Sequence, residues 1–227
     1  MREPSELITI FPVFLLVDVS VSMAGAPIEA LNKALPEMRR ELQSAPTVGE
    51  TVRIALVTFS DEARTVIPLS DLAHTEIPEV LIEGGTNFAA GLRGVRTAIE
   101  AGLGALPKGT PVYRPVVFFM SDGAHQARED WGPALQQLRD PHWRFRPEVV
   151  SFGFNAAQDD ALRQIATKFA FRAKDADPAT QVRAIMTALT GTIATTSAGF
   201  RDATRAGGAL HLETPPDHFT QLPPLTV

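Results

Sequence analysis

The sequence predicts an α/β fold: a doubly wound, mostly parallel six-stranded sheet of Rossmann-like type, with helices on both faces and one short antiparallel edge strand. Three observations carry this. Short apolar runs recur along the chain, as in strands buried on both faces. Segments with a single apolar stripe at helical spacing lie between them. The two kinds alternate, which is the signature of parallel strands joined by crossover helices.

The strands are read first. Val13 to Val17 is wholly apolar and ends at Asp18; Val52 to Phe59 forms the second run. Arg64 to Leu69 follows so closely that it reads as the return arm of an edge hairpin. Val116 to Met120 ends at Ser121-Asp122-Gly123, Val149 to Phe154 is next, and Phe169 to Phe171 is a short last strand.

The helices follow from periodicity. Ile28, Leu31, Leu35, Met38 and Leu42 share one face, with Pro27 suited to a first turn and Pro36 expected to kink or break the helix. Phe88, Leu92, Val95, Ile99 and Leu103 form the clearest stripe, with Asn87 as the expected N-cap. Trp131 to Leu138 and Ala161 to Lys168 read as two shorter helices, the second capped by Asp159-Asp160. Asp177-Pro178 opens a last helix presenting Val182, Ile185, Leu189 and Ile193. Beyond Gly199 no period persists, so residues 1–198 read as one domain and 199–227 as a tail or docking arm.

Composition narrows the functional classes. The 227 residues carry a formal charge of −5, against the basic face expected of a nucleic-acid-binding domain. The absence of cysteine excludes disulfides, thiolate catalysis and zinc–thiolate sites. No apolar stretch is long enough for a membrane span, and the start Met1-Arg2-Glu3-Pro4 lacks a signal-peptide pattern, so the expectation is a cytoplasmic protein.

Ligands of doubly wound sheets sit outside the carboxyl ends of the strands, where strand order reverses. The polar residues gather there. Asp18-Val19-Ser20-Val21-Ser22 follows the first strand, Ser121-Asp122-Gly123 follows the Val116 strand, and Gly84-Gly85-Thr86-Asn87 leads into the Phe88 helix. Two carboxylates with three hydroxyls form an all-oxygen set suited to a hard divalent cation such as Mg²⁺, Mn²⁺ or Ca²⁺. Gly84-Gly85-Thr86 is no phosphate loop, because the Lys of that motif is missing. His125 and Asp61-Glu62 read as loop residues near this rim. Arg144 and Arg146, flanking Trp143, read as solvated cations, with contact to an acidic partner as the alternative.

The pattern Asp18-x-Ser20-x-Ser22, then Thr86, then Asp122-Gly123 resembles the metal-ion-dependent adhesion site of von Willebrand factor A domains. The runs Leu15-Leu16-Val17-Asp18, Val57-Thr58-Phe59, Ile67-Pro68-Leu69 and Phe119-Met120-Ser121-Asp122-Gly123 are most similar to the tellurium-resistance Y (TerY-like) bacterial subgroup. The resemblance covers about residues 10 to 198. It implies that Ser20, Ser22 and Thr86 give hydroxyl oxygens to the ion, and that Asp18 and Asp122 act directly or through water. A partner protein's Asp or Glu would complete the shell. It also implies a binding module with no chemistry of its own, acting alongside a protein kinase and a PP2C-type phosphatase in stress response. Val21 departs from the family's usual Gly and raises a second reading, a scaffold with a vestigial metal site that binds through its tail. A third, a metal-dependent phosphohydrolase using Asp18, lacks the second Asp that such enzymes carry two residues later, since that position is Ser20.

Overall fold

The computed structural model describes residues 8–123, 130–174, 177–201, 210–213 and 217–223. The chain runs through β1 (Phe11–Asp18), α1 (Ala26–Ser44), α2 (Pro46–Thr51), β2 (Val52–Phe59), β3 (Ala63–Ser70) and α3 (Phe88–Gly104). It continues through β4 (Val116–Ser121), α4 (Gly132–Arg139), β5 (Glu148–Gly153), α5 (Asp159–Ile165), β6 (Phe169–Ala173), α6 (Pro178–Arg201) and β7 (Phe219–Leu222). The sheet order is β3-β2-β1-β4-β5-β6-β7. The five inner strands are parallel, while β3 and β7 run antiparallel at the two edges.

The doubly wound architecture is as the sequence predicts, with one correction: the described sheet has seven strands and two antiparallel edges, where six strands and one such edge were expected. The added strand comes from the segment read as a tail. Its four residues are buried at the two ends and exposed between, too short and irregular for a periodic signal. Phe219 explains why it docks. Its ring lies 5.6 Å from that of Phe152 and 6.2 Å from that of Phe171, covering the apolar face of β5 and β6.

Strand periodicity divides the core. Phe11, Val13, Leu15 and Val17 of β1 point to a layer closed by α1 and α6. Phe14 and Leu16 point to the opposite layer, closed by α3, α4 and α5. The stripes of α1, α3 and α6 are buried as their spacing predicts. Helix α1 is continuous through Pro36, against the expected break. Pro36 faces solvent, so the Asn32 carbonyl that loses its donor can be hydrated. The short α2 has no counterpart in the sequence reading; among its six residues Val48 is the one aliphatic side chain, so no stripe marks it. No described helix is long and apolar enough to cross a membrane.

The chain leaves β1 toward β2 and β3 on one side, then returns to place β4 on the other. The strand order therefore reverses between β1 and β4. The carboxyl ends of these strands, Asp18 and Ser121, stand side by side at this switch point. An aromatic cluster supports the rim from below. Phe119 stacks on Phe59 at 5.6 Å and meets Phe88 edge-on at 5.3 Å, and Phe88 meets Trp131 at 6.0 Å. Phe88 and Phe119 lie within two residues of a rim segment, and Phe59 precedes Ser60, whose carbonyl accepts from Asn87 N at 2.8 Å, so burial of the cluster helps fix where those loops start.

Candidate functional site

Three loops converge at the switch point. The first leaves β1. The Asp18 side chain accepts a hydrogen bond from Ser20 N at 2.9 Å through Oδ1, and from Ser121 Oγ at 2.6 Å through Oδ2. Residues Val21–Met23 then form a single 3-10 turn, closed by Met23 N donating to Ser20 O at 2.9 Å. This turn puts Ser20 Oγ and Ser22 Oγ 2.9 Å apart. Val21 has no left-handed φ, so the residue that replaces the family's Gly adopts an ordinary conformation, its side chain 64% exposed to solvent.

The second loop follows β4. Asp122 Oδ1 accepts from Ser22 Oγ at 2.6 Å, joining it to the first loop. Ser22 thereby spends its only hydrogen, so Ser20 is the donor in the pair between the two serines. Asp122 Oδ2 is buried without a hydrogen-bond partner among the described residues. Asn155 stands nearby, its backbone in the left-handed region at φ 48°, after Phe154 N and Ala156 N have bonded the carbonyls of Ser121 and Asp122. The Asn155 side chain eases the charge on Asp122 without giving Oδ2 a hydrogen bond of normal geometry.

The third loop carries Thr86, 8% exposed. Glu83 N donates to Val19 O at 2.8 Å and Val21 N to Gly84 O at 3.1 Å, so this loop is stitched to the first. Asn87 N donates to Ser60 O, and Asn87 Oδ1 accepts from Ala90 N at 2.8 Å, the N-cap expected for α3. Gly123 marks where the loops meet. A Cβ built there would stand 3.5 Å from Ser22 Oγ and 3.6 Å from Thr86 Oγ1.

The five residues singled out in the sequence thus converge: Asp18, Ser20, Ser22 and Asp122 through a chain of hydrogen bonds, and Thr86 beside Gly123. Ser121 and Asn155 were not singled out for a role. Ser121 was legible as the residue preceding Asp122, and Asn155 as an Asn directly after a strand, where that residue tolerates a left-handed backbone. Asp61 packs against Gly84, and His125 lies outside the described residues.

Both carboxylates are fully buried, and burial dominates their electrostatics. It pushes the Asp18 carboxyl up to about 6, outweighing the hydrogen bonds from Ser121 and Ser20; Asp122 adds repulsion. Burial also raises Asp122, against the Ser22 hydroxyl and Asn155. An unpartnered carboxylate oxygen, two buried acids and hydroxyls with spare lone pairs make a donor set that suits a small divalent cation. No three His, Asp or Glu side chains converge among the described residues, so a cation at this rim would rest on two carboxylates and on hydroxyl oxygens.

The fold and this rim define a class of domain. The family model of the von Willebrand factor type A domain matches residues 13–187, and the chain belongs to that family. Among solved structures it is similar to a von Willebrand factor type A protein from Catenulispora acidiphila: TM-score 0.61 at 17% identity, covering 82% of this chain and 43% of that one. It is also similar to the pilus adhesin SpaC from Lactobacillus rhamnosus GG: TM-score 0.60 at 17% identity, covering 82% and 31%. A third is proximal thread matrix protein 1 from the mussel byssus, with a zinc-occupied MIDAS motif: TM-score 0.57 at 18% identity, covering 82% and 48%. At these identities the likeness is one of fold, and the chain spans less than half of each of these proteins. No curated protein matches the chain.

Proposed function

We propose that this domain binds a protein partner through a divalent cation held at the switch-point rim, and that it is not itself an enzyme. The observation that carries the reading is Asp122 Oδ2, a buried carboxylate oxygen left without a partner beside a second buried acid. Leaving such a group unsatisfied costs about 1–3 kcal/mol, which a bound cation would offset. In this reading Ser20, Ser22 and Thr86 give hydroxyl oxygens, and Asp18 and Asp122 bind directly or through water. Neutral hydroxyls leave a cation electrophilic, so an Asp or Glu of the partner would complete its shell. Mg²⁺ is the expected ion, with Mn²⁺ or Ca²⁺ as substitutes.

Family membership supports the interaction role, since von Willebrand factor A domains commonly mediate metal-dependent protein contacts. The ordinary conformation of Val21 removes the motive for a vestigial site. Hydrolysis is disfavoured because both oxygens of Asp18 already accept hydrogen bonds and Ser20 stands where a second acid would be needed. On the TerY-like resemblance, the domain works in the cytoplasm beside a kinase and a PP2C-type phosphatase in stress response, and any docking role of residues 199–227 falls outside Phe219–Leu222, which the sheet takes up as β7.

Calorimetric titration of Mg²⁺ and Mn²⁺ into chelator-treated protein tests the site. One saturable event is expected, abolished in Asp122→Ala. No saturation by either ion, or saturation retained in Asp122→Ala, overturns the reading. With a partner in hand, EDTA should release it without unfolding the domain.

A further inference from the structure

A second charged feature lies at the opposite end of the sheet. A cleft of about 750 Å³ opens where β4, β5 and β6 begin. Its walls carry Arg114, Arg139, Arg146, Arg163 and Lys168 against a single acid, Glu148. Five cations to one anion is the reverse of the whole chain, whose formal charge is −5.

The fold's own needs account for only part of this. Arg139 and Arg163 stand in the last turns of α4 and α5, where a cation complements the helix dipole. Arg139 also ties α4 to Ala166 O. Arg114, Arg146 and Lys168 lie on the segments leading into strands, where no helix end calls for them. Arg114 and Lys168 share Glu148, at 3.6 Å and 2.9 Å. The Arg146 guanidinium has no partner among the described residues. Nε of Arg139 and of Arg163 is buried without a hydrogen bond, and burial pushes the Arg139 guanidinium down from its usual range. Arg163 pairs with Asp160 at 2.7 Å, outside the cleft lining. With Glu148 shared by Arg114 and Lys168, the cleft still holds more positive charge than these two acids compensate, with Arg139 and Arg146 facing no acid among the described residues.

We propose that this cleft is a second binding site, independent of the switch-point rim, for a small molecule bearing two or more phosphoryl charges. Guanidinium forks match phosphate oxygens two at a time, which favours phosphate over a single carboxylate. The cleft's size is that of a small-ligand site. A long polyanion is disfavoured, because the acidic remainder of the surface would repel it.

The test is titration of inorganic pyrophosphate into the full chain, in EDTA to keep the rim free of metal. One saturable site is expected. Affinity should fall about tenfold or more in Arg146→Gln, the loss expected for one charge-assisted contact, and less in Lys168→Gln. Unchanged circular dichroism and melting would show that neither variant is misfolded; Arg139 is left intact because it holds Ala166. Binding should persist in Asp122→Ala, so failure here and failure of the metal reading are distinguishable. The proposal is overturned if pyrophosphate does not saturate, if Arg146→Gln binds equally well, if succinate binds as tightly, or if only a phosphoserine peptide binds.

Discussion

Asp18 accepts two hydrogen bonds, yet its carboxyl is pushed up from the ordinary range, because full burial outweighs both. Its carboxyl stands at about 6, above the ordinary 3.8, so folding favours the protonated form. The stability from this group is fully present below about 3.8 and is lost as pH rises through about 6. The shift corresponds to about 3 kcal/mol held against the metal-free domain at neutral pH. Urea unfolding in EDTA, above and below that window, is expected to show wild type gaining stability on acidification relative to Asp18→Asn. Parallel pH profiles for the two proteins would refute this. The penalty has a functional sense, since a cation that favours both ionised acids would offset it, and metal affinity should fall as pH drops through the same range.

At the scale of elements, the rim is three loops whose backbones are tied before any ligand arrives. The stitching of Val19 and Val21 to Glu83 and Gly84 puts the Thr86 loop in register with the serines. Gly84 is the tight point. Its φ is +40°, and a Cβ there would fall 2.2 Å from Asp61 Oδ2. Gly84→Ala is expected to cost about 1–3 kcal/mol through backbone strain and displaced Asp61. It should also weaken cation binding, because Thr86 moves with the loop. A melting curve and a Mn²⁺ titration of the variant check both; loss of stability with full affinity would show that Thr86 is not held by this loop. The positions of Asp18, Ser20, Ser22, Thr86 and Asp122 were legible because each follows a strand or precedes a helix with a clear period. The stitching was not, because backbone hydrogen bonds between loops leave no mark in residue type. Val21 left two outcomes open for a related reason: a Gly-to-Val change signals strain only if the turn needs a left-handed φ, and this 3-10 turn does not.

For the whole molecule, the alternation of strand and helix made the parallel sheet legible, and the edges were harder. β3 was found because Arg64 to Leu69 follows β2 within a hairpin's reach. β7 was missed because Phe219–Leu222 is separated from β6 by all of α6 and is too short to show a period. Its position decides between two roles for the C-terminal segment. An arm reserved for a partner should be dispensable to the fold. A strand that covers the β6 edge and buries Phe219, 4% exposed, against Phe152 and Phe171 should not be. Phe219→Ala is therefore expected to destabilise the domain by about 3 kcal/mol, the low end for a large buried aromatic because edge strands can relax. The switch point lies on the far side of the sheet's centre from β6, so the cation affinity of the folded variant should be unchanged. Urea unfolding and a Mn²⁺ titration read the two quantities separately. Unaltered stability would return residues 219–222 to the role of a free arm. A matching loss of cation affinity would mean that the edge strand and the rim are coupled through β5 and β4, and that the sheet does not insulate the site from its border.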